Sequence, residues 1–95
     1  MASAASCPAE WQANRDIRSE EDQLRKSEAD IASGWTRLHK QEGLVLQLKA
    51  SGRGYAEAVR LAALLRDNLA EWERHRAMIE QRIAYLKRRR AAGST

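Results

Sequence analysis

Residues 55–86, YAEAVRLAALLRDNLAEWERHRAMIEQRIAYL, decide the fold. Within them Tyr55, Ala58, Ala62, Leu65, Leu69, Trp72, Arg76, Ile79, Ile83 and Leu86 follow alternating steps of three and four. Such steps keep one stripe in line along a helix of heptad periodicity, and here the stripe is apolar except at Arg76. No glycine or proline interrupts the stretch, so nothing in it breaks a helix. A helix with so continuous an apolar seam needs a partner to cover it.

That partner lies upstream. Ile17, Leu24, Ile31, Leu38 and Val45 recur at every seventh position, and the intermediate seam positions are Glu20, Ser27, Gly34, Gln41 and Leu48. The first helix therefore has a narrow seam, half polar until it nears the loop. Between the two seams stands Ala50-Ser51-Gly52-Arg53-Gly54, whose glycines provide a helix C-cap and a tight reversal. A short loop between long helices makes them antiparallel neighbours. The fold predicted is all-α, two long antiparallel helices forming a helical hairpin. Residues 1–14 are expected to be a flexible segment, helix 1 to span about 15–50, the loop 51–54, helix 2 about 55–90, and 91–95 to be a disordered C-terminus.

Folding at the loop pairs residues whose numbers add to about 103, since antiparallel neighbours run in opposite senses from a common turn. Leu48 then meets Tyr55, Val45 meets Ala58, Leu38 meets Leu65, Leu24 meets Ile79 and Ile17 meets Leu86. Gly34 falls against Leu69, the small-against-large complement of a close crossing, with Ile31 and Trp35 around Trp72. Trp35 and Trp72 are thus expected in the core. Arg76 falls opposite Ser27 with Glu28 beside it, which predicts a polar contact that fixes register at some cost in stability.

Composition agrees with the periodicity. The chain is rich in Ala, Leu, Arg, Glu and Gln, with one Pro, five Gly and no Phe, the profile of a long-helix protein. With 95 residues it forms one domain at most, and its core is thin enough that an isolated hairpin should be marginally stable. Leu44, Leu46, Val59, Leu61 and Leu64 lie outside the seam and cluster at the loop end, with Met78 and Tyr85 continuing the row along helix 2. These five residues are the expected association surface, for a homodimer in a four-helix bundle or for a helical protein partner.

The formal charge is +4, and Lys87, Arg88, Arg89 and Arg90 carry the whole excess. Four cations at a helix C-terminus complement its dipole, and the register brings them toward Asp16 and Glu10. The other reading is contact with a polyanion, which makes the chain a small nucleic-acid-associated protein reaching phosphates through its basic C-terminal helix end. Trp11, Trp35 and Trp72 are not interleaved with that end as stacking groups would be, so such binding is expected to be weak and non-specific.

Chemistry finds no foothold. A metal site needs three or four converging ligands, whereas His39 and His75 lie well apart along the rod and only Glu71 accompanies His75 at helical spacing. Glu20, Glu21, Asp22, Glu28 and Asp30 read as a solvated helix face, without the glycine turn of a calcium loop. Cys7 precedes Pro8 with no histidine near in sequence, and Gly52-Arg53-Gly54 lacks a phosphate-loop pattern. No catalytic residue, cofactor, metal or small-molecule substrate is expected. A single cysteine, no apolar run of the roughly 20 residues a membrane helix needs, and no signal-peptide features in Met1–Ala9 lead to an expectation of a soluble, cytoplasmic protein without membrane contact.

Ile31-Ala32-Ser33-Gly34, Gln41-Glu42, the loop glycine Gly52, Leu64-Leu65 and His75-Arg76 together resemble a group of short bacterial helical-hairpin proteins of uncharacterised function. The resemblance covers roughly residues 30–86 and departs from the group at the loop, where Gly52-Arg53-Gly54-Tyr55 stands in place of Gly followed by His or Asp and Thr. It implies a hairpin fold and a bacterial cytoplasmic setting, and brings no activity, cofactor or catalytic residue.

Overall fold

The computed structural model describes residues 3–93, with side chains described from Trp11 onward. It contains two helices and, among the described residues, no strand: α1 spans Ser3–Ala50 and α2 spans Ala56–Gly93. Folded against each other, they make a rod with extents of 76 × 16 × 14 Å.

Both helices run beyond the ranges read from periodicity. α1 starts well before residue 15, because Ala4, Ala5, Ala9 and Ala13 are strong helix formers that extend a helix without supplying a seam. Ala91 and Ala92 carry α2 past residue 90 to Gly93 for the same reason, while 94 and 95 lie outside the described residues.

The reversal is a Schellman motif. Gly52 takes φ of 70°, a left-handed conformation in which a Cβ would be strained. Its N–H reaches the Lys49 carbonyl at 3.1 Å, and the Arg53 N–H reaches the Leu48 carbonyl at 3.0 Å, which satisfies two of the orphan carbonyls at the end of α1. The Ser51 hydroxyl donates to the Gln47 and Leu48 carbonyls at 3.0 and 3.2 Å. Gly54 has no positive φ, so one glycine makes the reversal rather than two. Tyr55 then opens α2, its carbonyl accepting the Val59 N–H at 3.0 Å, and Glu57 complements the positive end of the helix dipole.

The core follows the predicted seams. Ile17, Ile31 and Leu38 of α1 and Ala58, Ala62, Leu69, Ile79 and Ile83 of α2 are buried, and Leu24, Val45, Leu48, Leu65 and Leu86 are half-buried. Ile31, Leu38, Ala62 and Leu69 form its central cluster, with Leu65 packed against it. Gly34 sits where α2 side chains press on α1: a Cβ there would lie 2.6 Å from Leu69 Cδ2 and 3.2 Å from Trp72 Cζ3. Polar contacts keep the same register. Gln41 Nε2 donates to the Ala58 carbonyl at 3.1 Å, Arg66 pairs with Glu42 at 3.1 Å, and Arg82 pairs with Glu20 at 2.7 Å.

Two seam expectations need correction. Trp72 is 38% exposed and Trp35 43% exposed, so neither indole is enclosed. A rod only two helices thick buries what lies between the axes, and an indole is too large to fit there beside Leu69. Trp35 instead lies against His39, ring centroids 5.9 Å apart. Arg76 is half-buried at its seam position but, among the described residues, makes no hydrogen bond or ion pair with Ser27 or Glu28. None of its side-chain nitrogens is a buried, unsatisfied group, so the stem covers the seam while the guanidinium reaches water.

Candidate association surface

Leu44, Leu46, Val59, Leu61 and Leu64 are all exposed, but they do not form one face. Two residues along a helix turn it by about 200°, so Leu44 and Leu46 leave α1 on opposite flanks of the seam. Leu46 and Val59 come together on one flank, in a shallow groove of about 400 Å³ floored by Val45 and Ala62 and edged by the Glu42–Arg66 ion pair. Leu44 and Leu61 stand across the seam from each other on the opposite flank, and Leu64 lies one turn from Leu61. Met78 and Tyr85 share the heptad position of Leu64, so this second flank continues as an interrupted apolar row toward the far end of the rod.

Leu46 is 66% and Leu64 57% exposed, the largest values among the five. Among the described residues neither flank has a cover. The cross-helix pairs Arg66–Glu42 and Lys87–Glu21 lie on the Leu46 and Val59 flank and are largely open to solvent, which confines each to a small energetic role.

The basic end is partly engaged. Lys87 Nζ lies 3.6 Å from Glu21 Oε2, Arg90 Nη1 donates to Asn14 Oδ1 at 2.9 Å, and Arg89 packs on Tyr85 with its guanidinium 5.9 Å from the ring centroid. Arg88 is exposed. Asp16, expected near this cluster, takes a hydrogen bond from Gln12 at 3.2 Å, because Lys87 projects on the flank of Glu21 and not on that of Asp16. The Glu10 and Cys7 side chains lie outside the described residues.

A groove of about 300 Å³ opens on the second flank among Gln23, Lys26, Ser27, Asp30, Trp72, His75 and Ile79. Its polar groups belong to helix-surface positions. Among the described residues no three His, Cys, Asp or Glu side chains approach as a metal would require, and no helix is long and apolar enough to cross a membrane.

The heptad positions of the large side chains leave another surface unmarked. Ala56, Ala63, Ala70, Ala77 and Ala84 recur every seven residues along α2, and all are exposed on the flank that carries Leu46 and Val59. Their spacing was available in the sequence. Comparison with known protein families, with curated proteins and with solved structures finds no match to this chain.

Proposed function

We propose that this chain is a non-catalytic protein–protein interaction or structural module, a helical hairpin that self-associates as a homodimer with four helices. One observation carries the reading: exposed Leu46 and Val59 on one flank, and Leu44, Leu61 and Leu64 on the other, on a rod whose interior is the thin seam between two helices. Exposed apolar clusters of this kind mark contact surfaces, and a thin core gains most from a second copy. The local pairing of Lys87 and Arg90 supports the structural reading of the basic end over phosphate contact. A bacterial, cytoplasmic setting belongs to the same proposal and rests on the resemblance to the bacterial hairpin group.

Sedimentation equilibrium of the full chain beside Leu46→Glu and Leu64→Glu tests it. A charge on a surface that is covered weakens the dimer, on the order of tenfold or more, whereas one on a solvated surface changes nothing. If neither substitution moves the dissociation constant, association does not use the loop-end side chains.

A further inference from the structure

Four charges of α2 are arranged symmetrically about Ala70. Arg66 and Asp67 precede it by four and three residues, and Glu73 and Arg74 follow it by three and four. Arg66 and Glu73 lie in one row beside the exposed alanines, on the side nearer α1, and Asp67 and Arg74 lie in the row on the outer side. Within four residues of Ala70 each row therefore holds one cation and one anion, one three and the other four residues away.

We propose that this face of α2 docks on the same face of a second copy, antiparallel, about a two-fold axis at Ala70. Arg66 then meets the partner's Glu73 and Asp67 meets the partner's Arg74, and symmetry makes each pair twice. Ala63 lies on the partner's Ala77, Ala56 on the partner's Ala84, and Ala70 on its own counterpart. Methyl-sized side chains let the two helices approach at or below the usual 8–10 Å, which brings the bordering charges within reach.

Neighbouring registers lose this match. Sliding one way to set Ala70 on the partner's Ala77 brings Arg66 to the partner's Glu80 but opposes Glu73 to Glu73, Arg74 to Arg74 and Arg60 to the partner's Arg88, so repulsive contacts outnumber attractive ones. Sliding the other way opposes Arg66 to Arg66, Asp67 to Asp67 and Arg60 to the partner's Arg74. A parallel pair would set the two Lys87 to Arg90 segments side by side.

The groups can reach these contacts. Asp67 and Glu73 have no ion-pair partner in their own chain among the described residues. Arg66 and Arg74 pair with Glu42 and Glu71 at exposed positions, where exchange of partners costs little. From Ala56 to Ala84 the contact is about 42 Å long and about one helix wide. Such a strip lies at the small end of stable interfaces, so the dimer dissociates on dilution, on the order of micromolar.

The inference rests on the proposal that the chain self-associates, and it names the flank and the register. In a Cys7→Ser background, full-length Ala63→Cys and Ala77→Cys chains are mixed and gently oxidised. The expected product is a disulfide between the two variants, with little from either alone. Ready cross-linking of Ala63→Cys with itself indicates parallel pairing and overturns the proposal. In sedimentation, Asp67→Arg and Arg74→Asp each weaken the dimer about tenfold, two attractive pairs becoming repulsive, and the double swap restores it. Both positions are exposed and off the seam, and circular dichroism verifies that the helices persist. A chain that still sediments as a dimer, without the mixed disulfide or the swap effect, overturns this face and leaves self-association standing. A chain that is monomeric at every concentration overturns both.

Discussion

Replacing Gly34 by alanine should destabilise the hairpin, although alanine is the better helix former. In an open helical position the exchange stabilises by about 0.5–1 kcal/mol. At Gly34 the new Cβ would lie 2.6 Å from Leu69 Cδ2, 3.2 Å from Trp72 Cζ3 and 3.4 Å from Leu69 Cγ. Leu69 must retreat by roughly 1 Å to restore van der Waals contact, and it is buried, with Trp72 closing the other side. Overpacking of this kind costs about 1–3 kcal/mol, so the net loss is on the order of 1 kcal/mol. That lowers Tm by about 4–8 °C for a chain of this size. Gly43 is the internal control, because a Cβ there meets nothing within 4 Å. Gly43→Ala should raise Tm while Gly34→Ala lowers it, both followed by circular dichroism at one protein concentration so that association does not differ. The interaction is local, so Gly34→Ala should become stabilising in a Leu69→Ala background. An equal rise in Tm for Gly34→Ala and Gly43→Ala would refute the close crossing and the register built on it.

Three further outcomes are expected. Arg76→Leu should raise Tm, since a half-buried seam position without an ion-pair partner among the described residues gains apolar contact, by about 1–2 kcal/mol; a large loss of stability would show a contact beyond covering the seam. Gly52→Ala should cost about 1 kcal/mol through its left-handed φ and Gly54→Ala very little, which urea denaturation of the two variants would separate. Neutralising Lys87, Arg88, Arg89 and Arg90 to Gln should abolish any low-salt binding to a labelled oligonucleotide, and binding that survives would assign phosphate contact to another surface.

The hairpin and its register were legible because heptad spacing is a direct projection of helix geometry. Ile31, Leu38 and Leu69 stand where their spacing puts them, and Gly34 faces Leu69 as the pairing requires. Other features depend on quantities that spacing does not contain. Whether Trp72 is enclosed depends on the thickness of the assembly around it, and two helices are too few. Leu44 and Leu46 look like one cluster in a linear reading because they are two residues apart, yet that step carries them to opposite flanks. Where Arg76 directs its guanidinium is a matter of a long stem and nearby solvent, which a seam position alone does not specify. The start of α1 rests on alanine propensity and not on a seam, so periodicity was silent there. The alanine row of α2 was visible at seven-residue spacing, but its meaning depends on exposure, and only the folded hairpin shows which alanines are covered.

The molar mass of the full-length chain in solution, measured by light scattering behind a sizing column across a wide concentration range, tests self-association most directly. The account predicts twice the 10.8 kDa of one chain at high concentration, falling toward the monomer on dilution. A mass that stays at one chain throughout would contradict it, and would mean that the exposed flanks of this rod are not contacts between copies.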